Sequence, residues 1–178
     1  MNNIMLDLET LSTEPDAMIV SIGAVQFDKD GLGPSFYAEI DIEHDDQRKA
    51  HISTGSIKFW MKQPDTARAV FESDLAKSMF NSLFEFNEFV ELIKHDSDVV
   101  IWGNGADFDN VILSRAYHRH AIPRPWGQYS NRCYRTLKKL APHIKLERSG
   151  THHNALDDAI SQAEHAVLIL NQMGGWEA

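Results

Sequence analysis

The sequence predicts an α/β fold built on a mixed sheet, and three observations carry that expectation. Strand-like segments Ile4–Glu9, Ile19–Phe27 and Phe36–Ile42 follow one another through short connections, which suggests an antiparallel meander. Beyond them, strand and helix patterns alternate, the arrangement that adds parallel strands to a sheet. A long amphipathic helix opened by a capping residue closes the chain. With 178 residues, 43% of them hydrophobic, the chain can bury one full core, and the expectation is a single domain over residues 1–178.

In chain order, the turn-rich Asp28-Lys29-Asp30-Gly31 separates the second and third strands. Ser56–Lys62 and Ser82–Lys94 read as helices, the second with Leu83, Phe86, Val90 and Ile93 on one face and with Phe84, Phe86 and Phe89 as core. Asp98–Trp102 reads as a short apolar strand, followed by Gly103-Asn104-Gly105 and a helix to about His118. After an irregular stretch at Pro123–Gly127, Arg132–Leu140 reads as a helix, and the last helix runs from Asn154 to about Met173.

Composition narrows the function classes. The start of the chain has no basic n-region, and no apolar run approaches the length of about 20 residues that crosses a bilayer, so no membrane partner is expected. A single cysteine, Cys133, allows no intrachain disulfide, which favours a reducing, cytoplasmic setting. The formal charge of -9 argues against nucleic acid, but its distribution does not. Between Arg115 and Arg148 stand nine Lys/Arg against one acid, Glu147. That segment can present a positive surface to phosphates, or it can be an ordinary solvated basic stretch.

Three local patterns carry chemistry. In Asp7-Leu8-Glu9, strand alternation puts Ile4, Leu6 and Leu8 on one face and both acids on the other. Their Cα atoms would lie about 6.5–7 Å apart, within reach of one hard cation. Taken alone, the pair also fits the solvent face of an edge strand. On the helix after Gly105, Phe108, Ile112 and Ala116 form a core stripe; Asp109 projects inside it and Asp107 outside it. A core-facing carboxylate is costly unless paired or bound to a metal, so Asp109 is the candidate and Asp107 a solvated or capping acid. A helix that starts later would leave Asp109 in a loop. In His152–Asp158, Asn154 is an N-cap with an acid three residues on. Asp158 borders the apolar arc of Ile169, Ala155, Ala166, Ala163 and Ile160, whereas Asp157 points towards solvent. Both acids also suit the helix dipole with no further role.

Asp7-x-Glu9, Asp109 after Phe108, and His153-x-Ala155-x-x-Asp158, in this order, resemble the DEDDh 3′–5′ exonucleases. This is the DnaQ-like group that contains polymerase proofreading subunits, RNase T and oligoribonuclease. The resemblance runs from residue 4 to about 170, and the stretches IMLDLETL, IVSIGAVQFD and WGNGADFDNVIL look most like its small phage, prophage and RNase AS-like branch, some members of which are named after exonuclease VIII. One departure is visible: many relatives place Asn four residues before the middle Asp, whereas Asn104 stands five before Asp109.

The resemblance implies an RNase H-like fold, a mixed five-stranded sheet flanked by helices. It also implies hydrolysis of terminal phosphodiester bonds of single-stranded DNA or RNA from the 3′ end, with release of nucleoside 5′-monophosphates. Two Mg²⁺ or Mn²⁺ ions about 3.5–4 Å apart would serve that chemistry. Asp7 would bridge them, Glu9 and Asp158 would complete the site that holds the attacking water, and Asp109 would support the second ion. His153 would be the general base; His152 is its rival, but His153 alone has the family spacing to Asp158. The other reading of His153 is an exposed loop imidazole. Thr10 and Leu11 match positions that touch the terminal nucleotide in relatives.

Phe59, Trp60 and Trp126 are candidate stacking platforms for bases, with core packing as the competing role for Phe59 and Trp60. Two other functions stay open: a phosphodiesterase restricted to very short oligonucleotides, and an idle nucleic-acid-binding domain, against which the full set of four acids and a histidine speaks. DNA against RNA is open, as is homodimerisation, which several small relatives show.

Overall fold

The computed structural model describes residues 2–94, 99–148 and 150–176. Strands β1 (Asn2–Thr10), β2 (Ile19–Asp28), β3 (Gly31–Glu39), β4 (Val99–Gly103) and β5 (Asn131–Cys133) form one sheet in the order β3-β2-β1-β4-β5. β1, β2 and β3 pair antiparallel, whereas β4 runs parallel to β1 and β5 parallel to β4. This is the mixed five-stranded sheet expected. β1 is an interior strand, so its acids do not sit on a sheet edge. The helices are α1 (Thr54–Trp60), α2 (Asp65–Arg68), α3 (Met79–Ile93), α4 (Asp109–Arg119), α5 (Tyr134–Leu140) and α6 (Ala155–Met173).

Alternation along β1 divides the core in two. Ile4, Leu6 and Leu8 pack with Ile22 and Ile101 against Leu83, Phe86 and Val90 of α3 and Ile112, Leu113 and Ala116 of α4. On the other face, Met5 joins Val25 and Phe27 against Tyr134 and Leu137 of α5 and Ala159, Ala163, Ala166 and Ile169 of α6. A third cluster, Leu11, Met18, Val20, Trp60 and Ala67, lies beside the end of β1.

Two glycines allow helix starts to approach the sheet. Gly23 pairs with Asp7 across β1 and β2, and a Cβ there would lie 2.1 Å from the carbonyl carbon of Ala155. The first turn of α6 can therefore rest directly on β2. At the end of β4, a Cβ on Gly103 would lie 2.2 Å from Asn110 Oδ1, so α4 folds back tightly over its own strand. Asn154 fixes the other end of this arrangement: its Oδ1 accepts the amides of Leu156 and Asp157, both at 3.1 Å, a cap that contributes about 1 kcal/mol.

Several expectations are corrected. The third strand is not Phe36–Ile42: it begins at Gly31, paired with Asp28 across a two-residue loop, and ends at Glu39, with Ile40 making only an isolated bridge to Lys77. Arg132 and Cys133 belong to β5, not to a helix. α1 and α3 start earlier than expected because Ser53 and Ser78 cap them, each hydroxyl accepting an amide three residues on. Phe86 and Phe89 are core, but Phe84 is exposed. Trp126 is also core: only 5% exposed, it packs edge-on to Tyr117 and Phe86, which closes it off as a stacking platform. Asp98, expected to open the fourth strand, lies outside the described residues. No helix among the described residues is long and apolar enough to cross a membrane.

Candidate active site

Asp7 and Glu9 continue the Met5 row of β1 towards its carboxyl end. β4 runs parallel alongside and ends at Gly103, and the crevice outside the carboxyl ends of parallel strands is where such sheets expose ligand sites. The start of α6, held on β2 by Gly23, brings Asp158 to the same place. Oxygens of Asp7, Glu9 and Asp158 all lie within 4.8 Å of one another. Asp7 Oδ1 accepts a hydrogen bond from Gln162 Nε2 at 2.7 Å. Asp158 Oδ2 accepts the His153 amide at 3.1 Å, and its Oδ1 takes the Arg148 guanidinium.

Asp109 is the first residue of α4 and is 2% exposed. Its Oδ1 accepts the Leu8 amide at 3.1 Å and its Oδ2 the Asn104 amide at 2.9 Å, tying β1 to the β4–α4 turn. It stands outside the group formed by the other three acids. Asp107 is exposed, as expected.

The electrostatics follow from this crowding. Burial, then the charges of Asp109 and Glu9, hold the Asp7 carboxyl well above the usual carboxylate range. Burial pushes Glu9 up to about 8, with Asp158 and Asp109 adding to it. Asp109 is raised by burial to about 7, against the lowering effect of the amides it accepts and of Arg135. Buried carboxylates so close together need a proton or a cation to be tolerated. Their hard oxygen donors suit a divalent ion such as Mg²⁺ or Mn²⁺.

His153 sits in the turn before α6 with a left-handed backbone, φ 65°. Its imidazole is half-buried, 5.0 Å edge-on from the Phe59 ring and 6.3 Å from Trp60, with Nδ1 3.9 Å from Glu9 Oε1. Burial first, then His152, hold its pKa below the ordinary 6.5. His152 is exposed and also lies within reach of Asp158, but the imidazole packed beside Glu9 is that of His153.

Thr10 and Leu11 follow directly. The Thr10 carbonyl accepts Trp60 Nε1 at 2.9 Å, so α1 is pinned to the end of β1. Leu11 is only 8% exposed within the third cluster, which leaves little of its side chain for a nucleotide. Trp60 is likewise core at 4%, while Phe59 keeps 42% exposure beside His153.

Sequence reasoning missed several participants. Gln162 lies four residues after Asp158, one turn along the same helix face, and that spacing could have flagged it. Arg148 was visible only as one charge among nine. The Asn104 loop acts through its backbone, its amide on Asp109 and its carbonyl on Arg135, while its side chain accepts from Lys138 at 3.3 Å. The basic segment is therefore divided. Arg119 and Arg124 serve the α4 end of the fold, on the Asp16 carbonyl and Ser114, whereas Arg135, Lys138 and Arg148 border the acids.

Comparisons with known proteins bear on the family and the fold. A family model described as 3′-5′ exoribonuclease Rv2179c-like domain matches residues 2–170. Among solved structures, the nuclease domain of 3′hExo, a DEDDh family member bound to rAMP, is 13% identical with a TM-score of 0.68, covering 99% of this chain and 94% of that one. E. coli Exonuclease I in complex with a 5cy-dA13 oligonucleotide is 15% identical with a TM-score of 0.62, over 99% of this chain and 41% of that one. Exonuclease X with 5′ overhanging duplex DNA is 15% identical with a TM-score of 0.55, over 97% and 93%. No curated protein matches. At these identities the structural likeness is one of fold, and the fold is the RNase H-like one of the DEDDh exonucleases.

Proposed function

The chain belongs to the Rv2179c-like 3′-5′ exoribonuclease family and is a 3′-5′ exonuclease, and from that premise we propose how its acids and histidine cut. Acting as one domain over residues 1–178, it shortens a single-stranded 3′ end and releases nucleoside 5′-monophosphates. The family description favours RNA, with DNA the second substrate. The observation that carries this reading is the convergence of Asp7, Glu9 and Asp158 oxygens within 4.8 Å, with the His153 ring beside Glu9.

Two divalent cations, Mg²⁺ or Mn²⁺, would be held by this cluster, with Asp7 contributing to both, Glu9 and Asp158 on the side of the attacking water, and Asp109 supporting the other. Such ions would supply neutralisation of charge on the phosphoryl and departing oxygens and would orient the water. The protein's own groups do the rest. His153, neutral at pH 7 because its pKa lies below 6.5, takes the proton of the water as its oxygen attacks phosphorus. The bond from phosphorus to the 3′ oxygen of the preceding nucleotide breaks, and that oxygen takes up a proton from solvent to become the new 3′ hydroxyl. Gln162 holds Asp7 in place through its Nε2, and the Leu8 and Asn104 amides hold Asp109. The Thr10 backbone and the small exposed part of Leu11 would border the terminal nucleotide, and the half-exposed Phe59 ring lies beside the histidine. The single cysteine supports a reducing, cytoplasmic setting, and a homodimer completes the proposal.

The test uses 5′-labelled single-stranded RNA and DNA with Mg²⁺, Mn²⁺ or EDTA. A ladder shortening from the 3′ end, absent with EDTA, is expected, together with turnover of strands well beyond dinucleotides. Binding with no hydrolysis under Mn²⁺ would leave only an idle binding domain.

A further inference from the structure

Asp158 is placed among the cation ligands above, yet its oxygens are already engaged. Oδ2 accepts the His153 amide, and Oδ1 is in contact with Arg148 Nη1. A divalent ion and a guanidinium on the same carboxylate oxygen repel each other at short range, in a site too buried for water to screen them fully. One of the two must give way. The amide belongs to a tight turn, but Arg148 lies beyond that turn with its side chain 47% exposed, so it is the partner that can leave.

On the reading of Asp158 as a cation ligand, we propose that Arg148 stands in for the cation on Asp158 in the cation-free enzyme and moves to the phosphate of the bond being cut when the site is loaded. Its position supports both roles. It borders the carboxylate cluster beside Arg135 and Lys138, where an anionic backbone would enter. A guanidinium released from a carboxylate finds in a phosphodiester the same two-oxygen geometry, which it can bind through paired N–H donors. Arg148 thereby keeps the acids tolerable when empty and joins the reacting group when occupied.

The two roles predict effects of opposite sign. Calorimetric titration of Mn²⁺ alone, without substrate, into wild type and Arg148→Gln should show about three- to tenfold tighter uptake in the variant, because Asp158 is no longer neutralised. The same variant should lose roughly tenfold or more in kcat/KM on single-stranded RNA, because the phosphate loses its partner. Arg148→Lys, which keeps the charge but not the fork, should titrate with Mn²⁺ like wild type and turn over more slowly. A purely structural arginine would weaken both readouts together. Wild-type uptake that Arg148→Gln leaves unchanged or weakens overturns the proposal alone. Tighter uptake with unchanged kcat/KM overturns its phosphate half. No Mn²⁺ uptake by wild type overturns the proposal together with the reading it rests on.

Discussion

Gly23 lies so close beneath Ala155 that a single methyl group on it would meet the carbonyl carbon of that residue at 2.1 Å. Backbone cannot yield as a flexible side chain can, so Gly23→Ala must push the start of α6 off the sheet. The expected cost is about 2–3 kcal/mol of stability. Because Asp158 rides on that turn, Mn²⁺ uptake should weaken as well. Urea unfolding and calorimetry on the same variant check both; a variant with wild-type stability would mean that α6 does not rest on β2 as described.

Asp7→Asn removes a central acid while keeping its shape and its contact with Gln162. Turnover should be abolished and the protein should stay folded, read by the RNA ladder and by circular dichroism. Retained activity would show that Asp7 is not a cation ligand.

The cation-free protein should lose stability as pH rises. A proton held more tightly by the folded than by the unfolded chain stabilises the fold while it is bound. For Glu9 that contribution is complete below its ordinary 4.5 and is lost as pH passes through about 8; for Asp109 the window runs from 3.8 to about 7. Asp7 acts in the same direction. Unfolding midpoints with EDTA should therefore fall between pH 5 and 8, by a few kcal/mol of stability in all (on the order of 1.4 kcal/mol per pKa unit), and added Mn²⁺ should restore them at the alkaline end. A flat profile would contradict the crowding of these acids.

His153→Ala should slow hydrolysis by about 10²–10⁴-fold without preventing cation uptake. In wild type, kcat should rise as pH passes upward through a value below 6.5, because only the neutral imidazole accepts a proton. Loss of Mn²⁺ uptake in this variant would make His153 a ligand instead of a base.

Much of this was legible in the chain. Alternation in β1, the Asn154 cap and the conflict between charge and a core stripe marked Asp7, Glu9, Asp158 and Asp109 as candidates, and it was their order along the chain, which resembles the DEDDh pattern, that joined them into one site. β3 was misplaced because residues 32–35 are exposed, so it carries no apolar alternation until Phe36. β5 is three residues long and half-exposed, too short for any period to show. Gln162 and Arg148 were hidden for a different reason. A bond from residue 162 to residue 7 exists only once α6 crosses the sheet, and Arg148 meets Asp158 only in the folded chain. Trp126 misled because a tryptophan among basic residues fits a stacking platform, while its burial depends on α3 and α4 closing over it.

The last of the clustered acids arrives on α6, which begins at Ala155, far along the sequence from β1. A polypeptide emerging from a ribosome has β1 and β2 long before it has that helix. Until that helix has been made, the carboxylate cluster lacks one of its walls, and a chain that stops short of it holds no complete cation site.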